Sequence, residues 1–244
     1  MKINFVLPGL GDSGGIRVVK EYTKLFNEMG IDTCIYCPVL ADNLHRYARG
    51  SKNILHQIYC TAKTLIHMYR KQEHVRWIPY VNGRYIREAD YVIATMWATA
   101  YRVEELPDRC GDKWYFIQGY EIWDNEKLGM ASYVLPLKKI VISTWINKQL
   151  TENLGIGPFP ILYNGIDEKY LNNAEANFHN ECLSILMVNH KDPVKGVDIG
   201  LEVFKRLREK YPEIRYNMFG FCDGSNLPEY VHYYRNPDES ILLE

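Results

Sequence analysis

Short apolar runs alternate along this chain with longer segments in which apolar residues recur every three or four positions. Ile3 to Leu7 is a compact apolar run stopped by Pro8-Gly9, the pattern of a buried strand. A glycine-rich turn, Gly11-Asp12-Ser13-Gly14-Gly15, follows. Ile16, Val19, Tyr22, Phe26 and Met29 then recur at helical spacing, and Gly30 closes the helix. Thr33 to Tyr36 predicts a second strand, so the chain opens with a strand-helix-strand unit and a parallel sheet is expected. Further strands are predicted at Val75 to Ile78, Tyr91 to Ala94, Trp114 to Ile117 and Ile140 to Ser143. His45 to Gln72 is helix-compatible. Ser143 to Asn153 is predicted helical, with Ser143 or Thr144 as cap, and Pro158 to Tyr163 is predicted extended.

The pattern lapses between Glu168 and Glu181, where Asn and Glu dominate, and this stretch reads as a linker. A second unit then starts. Leu183 to Val188 predicts a strand, and Asn189 to Gly196 a loop. Val197, Leu201, Phe204, Leu207 and Tyr211 form a helical stripe, and Ile214 to Phe219 predicts a strand ended by Gly220. The expected organisation is α/β: a Rossmann-like domain over 1–167, a linker over 168–181 and the opening part of a second Rossmann-like domain over 182–244. A piece of roughly 60 residues buries little surface by itself and leaves a sheet edge unpaired. The second domain is therefore expected to be incomplete. The alternative is a compact extension docked on the first.

Composition narrows the class. The chain has 244 residues, 47% of them hydrophobic and 24% charged, with a net charge of -1. Enough apolar side chains are present for a core, and no global charge asks for nucleic acid. No run of about 20 apolar residues predicts a membrane-spanning helix, and Ile3 to Leu7 is too short for a signal-peptide core. A cytoplasmic protein with reduced thiols is expected. Cys34 and Cys37 have metal-like spacing, but on a strand residues three apart point to opposite faces. Between Leu44 and Ala89 there are nine Lys or Arg against two Glu. The segment 46–71 reads either as a solvated helical face or as a peripheral contact with an anionic membrane near a lipid-linked acceptor. Attraction there would be about 1 kcal/mol per basic residue.

Three places carry candidate chemistry. Gly9-x-Gly11-x-x-Gly14 follows a strand and opens a helix, as in dinucleotide-binding turns, so amides near Gly14 and Gly15 would face a phosphate or a hydroxyl. The second strand, however, ends in Tyr36-Cys37-Pro38, where an acid would be needed to hold a ribose, and Gly15-Ile16 stands where a P-loop needs Lys-Ser/Thr. The turn is thus either a ligand contact or a tight strand-to-helix connection. Lys195-Gly196 at a helix start suits a phosphate oxygen, with a solvated loop lysine as the alternative. Gln118-Gly119-Tyr120-Glu121 follows a strand and would lie at the carboxyl end of a sheet, where ligands bind. Glu121 there could take or orient an acceptor proton, or be a surface carboxylate. Thr95-Met96-Trp97 would line the same cleft, and Trp97 or Trp123 could stack on a sugar or fill the core. No Asp-x-Asp and no metal-spaced His or Cys cluster occurs. Diphosphate charge would have to be met by Lys, Arg and helix termini.

Taken together these segments resemble the retaining glycosyltransferases of family four, which have the GT-B fold. The resemblance is carried by Gly14-Gly15-Ile16-Arg17-Val18-Val19, by Tyr163-Asn164-Gly165-Ile166-Asp167, by Leu186-Met187-Val188 with Lys195-Gly196-Val197-Asp198, and by Phe219-Gly220. Gln118 to Trp123 resembles members acting on rhamnose-containing surface polysaccharides. The resemblance implies a nucleotide-sugar donor, a glycan or lipid-linked acceptor, transfer with retention, and neither metal nor cofactor. It assigns Lys195 and Gly196 to the donor diphosphate, Gly14 and Gly15 to the loop near the donor phosphate and sugar, and Asn164 and Gly165 to the crossing segment. His190 stands where the family usually has Arg, and a neutral imidazole is a poorer phosphate partner. The family's Glu-x7-Glu motif would lie past Glu244, so this stretch alone is expected to be inactive or nearly so. A non-catalytic glycan- or partner-binding module and an NAD-dependent oxidoreductase are the competing readings.

Overall fold

The computed structural model describes residues 1–11, 13–40, 58–59, 61–62, 64–65, 68, 72–122, 125–165 and 183–238. Most of the basic segment 46–71, the expected linker 168–181 and Trp123 lie outside the described residues. Strands β1 (Lys2–Val6) and β2 (Asp32–Pro38) pair in parallel, with Lys2 opposite Asp32 and Val6 opposite Tyr36. Helix α1 (Gly14–Glu28) joins them, which is the strand-helix-strand unit read from the sequence. Gly30, at φ 79°, turns the chain out of α1 into β2.

Strands β3 (Val75–Ile78), β4 (Tyr91–Ala94), β5 (Asp112–Ile117) and β6 (Lys138–Val141) complete a six-stranded parallel sheet in the order β3-β2-β1-β4-β5-β6. This is the strand order of the dinucleotide-binding fold, and its direction of winding reverses between β1 and β4. Helices α2 (Trp97–Glu104), α3 (Glu126–Ser132) and α4 (Thr144–Leu154) follow β4, β5 and β6 in turn. Ser143 caps α4 by accepting the Ile146 amide at 3.2 Å.

Period-two alternation sorts the strands between two cores. Val6, Cys34, Tyr36, Val92, Ala94, Tyr115 and Ile117 join Ala100, Val103, Tyr133, Ile146 and Leu150 from the later helices. Ile3, Phe5 and Ile35 pack with Val19 of α1. Cys34 and Cys37 are both buried free thiols. Burial pushes the Cys37 thiol up to about 12. At the other end of the sheet Arg87 clamps β1 to β2. Its guanidinium donates to both Asp32 carboxylate oxygens at 2.8 and 2.7 Å and to the buried Asn4 Oδ1 at 3.1 Å.

The second unit carries β7 (Ser184–Asn189), α5 (Val197–Lys210), β8 (Arg215–Gly220) and β9 (Val231–Arg235), with strand order β7-β8-β9, all parallel. Two of these strands, β7 and β8, are read from the sequence pattern. The third, β9, is fixed by Val231, which enters the core beside Phe204, Tyr216 and Met218, and by Tyr233, whose hydroxyl donates to the Gly220 and Cys222 carbonyls. The chain thus forms two compact units, Met1–Asn164 and Gly165–Glu244. The expected parallel α/β architecture is present in both.

Candidate functional site

In a doubly wound sheet, ligands bind outside the carboxyl ends of the strands where the winding reverses. Here that place lies beyond β1 and β4, and the glycine turn of α1 stands at it. Ser13, at φ -72° and ψ 150°, is the N-cap, and its side chain makes no capping bond. Its carbonyl accepts the Ile16 and Arg17 amides, each at 3.1 Å. The Gly14 and Gly15 amides precede these bonds and belong to the first-turn donors that a helix start leaves open. A Cβ on Gly15 would sit 3.3 Å from both terminal atoms of Gln118, so glycine lets that carboxamide lie across the helix start. Gln118 Nε2 reaches the Thr95 carbonyl at 3.4 Å. Its Oε1 is buried with no partner among the described residues. A buried acceptor left open beside a helix start is an invitation to a ligand hydroxyl or amide.

Thr95 and Met96 shape the β4 side. The Thr95 hydroxyl donates to the Val6 carbonyl at 2.8 Å, tying β4 to β1 at the reversal. The Thr99 hydroxyl accepts the Thr95 and Met96 amides, each at 3.0 Å. Trp97 is fully buried and belongs to the core, where it meets Tyr101 edge-on.

Glu121 is buried at the start of α2. Its Oε2 accepts the Trp97 amide at 2.7 Å and the Tyr115 hydroxyl at 3.1 Å. Desolvation outweighs both bonds and pushes the carboxyl up to about 7. A carboxyl poised near neutrality can give or take a proton. The loop that carries it is held by Tyr133, whose hydroxyl accepts the Glu121 amide and donates to the Gly119 carbonyl. Gly129 is needed beneath it, because a Cβ there would run into the Glu121 carbonyl. Tyr133 stacks on Tyr115 on one side and on Tyr120 on the other, at 6.0 and 5.9 Å with nearly parallel rings. The 19 tyrosines of the sequence are its sole hint of this column.

In the second unit, His190, Lys195 and Gly196 share the loop between β7 and α5. The Asp192 amide donates to His190 Nδ1 at 2.9 Å, and Asp192 Oδ1 accepts the Val194 amide at 3.0 Å. In that arrangement the imidazole keeps its proton on Nε2. Lys195 is exposed and ends a short 3-10 turn (Pro193–Lys195). Gly196 follows at φ 65°, the left-handed conformation that starts α5 without a capping side chain. Asn164 and Gly165 are both exposed, and the division between the two units falls between them. The structure therefore gathers Gly14, Gly15, Gln118 and Glu121 at one end of the first sheet, and His190, Lys195 and Gly196 at one end of the second. Among the described residues no three His, Cys, Asp or Glu side chains form a metal-binding group, and no helix is long and apolar enough to cross a membrane.

These features define an α/β protein with two Rossmann-like parallel sheets and a glycine-bearing turn at the carboxyl end of each first strand. No protein-family model matches the chain, and no curated protein matches it. Among solved structures it is similar to the crystal structure of WaaG, a glycosyltransferase involved in lipopolysaccharide biosynthesis. That similarity covers 98% of this chain and 71% of the other, at 14% identity and a TM-score of 0.47.

Proposed function

We propose that this chain supplies donor- and acceptor-binding parts of a glycosyltransferase that moves a sugar from a nucleotide-sugar donor to a glycan or lipid-linked acceptor. The donor diphosphate is taken by the β7–α5 turn. The exposed Lys195 ammonium and the open amides at the start of α5 meet the charge that develops on the leaving group. The observation that carries this reading is that turn: a lysine and a left-handed glycine at the head of a 14-residue helix, at the carboxyl end of a parallel strand. The acceptor is taken at the carboxyl end of the first sheet, beside the glycine turn of α1. There Gln118 Oε1 and the Gly14 and Gly15 amides offer bonds to hydroxyls, and Glu121 takes or orients the acceptor proton. Transfer proceeds with retention and without a metal, and the protein works on the cytoplasmic side of a membrane, contacted peripherally through 46–71.

An oxidoreductase reading is disfavoured by the end of β2. Pro38, Val39 and Leu40 stand where a ribose would need a carboxylate, and Asp42 lies outside the described residues.

Thermal unfolding with UDP-, GDP- and dTDP-sugars and with NADH tests the proposal. At a hundred times its dissociation constant, the true donor adds about 2.7 kcal/mol of stability. Protection by one nucleotide-sugar and not by NADH is the expected result. Protection by NADH alone would make the protein an oxidoreductase, and protection by none would leave a non-catalytic binding module.

A further inference from the structure

Trp145 opens the first turn of α4 and is 56% exposed, whereas Trp97 is 0% exposed. Its indole is held edge-on to Tyr120, with ring centroids 6.3 Å apart and planes at 84°. Tyr120 is in turn the outermost ring of the tyrosine column, so the indole's orientation is braced from the core outward. Polar groups border it. Asn153 Nδ2 donates to the Tyr120 hydroxyl at 3.1 Å and lies 3.3 Å from Gln149 Oε1. Gln149 and Asn153 follow Trp145 at four-residue spacing on α4, so they share its helix face. A flat, fixed, exposed aromatic surface edged by amides and a phenol is the chemistry that recognises a pyranose. The ring's C–H face lies on the indole, and its hydroxyls reach the amide groups.

We propose that Trp145 and Tyr120, with Gln149 and Asn153, form a stacking subsite for one sugar ring of an oligosaccharide acceptor. The inference rests on the glycosyltransferase reading and extends it from "acceptor" to "acceptor of several sugar units". Topology supplies the length. α4 follows β6, and β6 lies three strands from β1 along the same carboxyl rim. At about 4.8 Å per strand the platform stands roughly 14 Å from the glycine turn. One monosaccharide does not span that distance, and a short oligosaccharide does.

The test is binding of the full chain to an array of free oligosaccharides of increasing length, with affinities measured by titration for any that bind. Trp145→Ala weakens binding about tenfold or more, and Trp145→Phe, which keeps an aromatic face, loses less. Oligosaccharide binding also shifts tryptophan emission in the wild type and not in Trp145→Phe. Trp145 is exposed, so both variants are expected to keep the wild-type unfolding midpoint, which is measured alongside. Absence of binding to every oligosaccharide, or equal binding by Trp145→Ala, overturns the proposal. Loss of sedimentation with phosphatidylcholine–phosphatidylglycerol vesicles in Trp145→Ala, without any glycan effect, also overturns it, in favour of a membrane contact. Trp145-dependent glycan binding without protection by any nucleotide-sugar would keep the subsite and sink the transferase reading alone.

Discussion

The Glu121 carboxylate lies 2.7 Å from the Trp97 amide, so a side chain from the loop after β5 closes the start of α2. Met96, the N-cap of that helix, has no side-chain oxygen to do this. One acid therefore links the β4 and β5 loops at the carboxyl end of the first sheet. It does so in surroundings dry enough to favour its neutral form.

That linkage predicts a pH-dependent stability. Glu121 has an ordinary value of 4.5 and is raised to about 7 in the folded protein. The folded state therefore holds a proton that the unfolded state releases. The associated stability is fully present below pH 4.5 and is lost as pH rises through 7, by up to about 3 kcal/mol. Urea unfolding at pH 5 and pH 8 checks this. The wild type loses more stability than Glu121→Gln between the two pH values, and equal losses would contradict the assignment.

Gly15 is expected to matter for binding more than for folding. Its Cβ would meet Gln118 at 3.3 Å, and Gln118 ends in a flexible carboxamide that can move. Gly15→Val should change stability by no more than about 1 kcal/mol. It should also displace Gln118 and reduce the protection given by an acceptor oligosaccharide. Thermal unfolding with and without that ligand separates the two effects, and undiminished protection would place the acceptor elsewhere.

Arg87 is expected to be the costliest surface-proximal residue to remove. It bonds Asp32 and the fully buried Asn4, and its amide donates to the Tyr36 hydroxyl. Arg87→Ala strips a charged donor from Asn4 and should destabilise by about 2–4 kcal/mol. Arg87→Lys should recover little of this, because an ammonium cannot reproduce the fork. Denaturant midpoints of the two variants measure the difference.

The buried thiols should be inert. Burial raises Cys34, Cys37 and Cys110, which keeps them as neutral thiols. Mass spectrometry after iodoacetamide treatment should find these three unmodified in the native protein and modified in urea, with the less buried Cys222 reacting before them.

Much of the fold was legible because it is written in periodicity. The run from Ile3 to Leu7, the stripe on α1 and the apolar runs at Val75, Tyr91 and Trp114 each carry their own signal. Met29 fits the same stripe by spacing but is 66% exposed, because the helix ends at Glu28. β9 was not legible. Val-His-Tyr-Tyr-Arg lacks a clean alternation, and the strand exists because Val231 and Tyr233 find partners on β8 and in its following loop. α3 was hidden for a related reason. It is short, and Gly129 interrupts its pattern where close approach to Glu121 demands a glycine. In the site, Gly14, Gly15 and Gln118 could be read from glycine spacing and from their place after strands. The tyrosine column could not. Tyr115, Tyr120 and Tyr133 come from within β5, from the loop after it and from the end of α3, and only their stacking gives them a joint role.

The most direct measurement of the central claim is an amide NMR titration of the full chain with UDP-, GDP- and dTDP-sugars. Binding should move the Lys195, Gly196 and Val197 amides at the head of α5, and Lys195→Ala should weaken the response about tenfold. Undisturbed amides in that turn with every nucleotide-sugar, together with shifts at Gly14 and Gly15 on adding NADH, would contradict it.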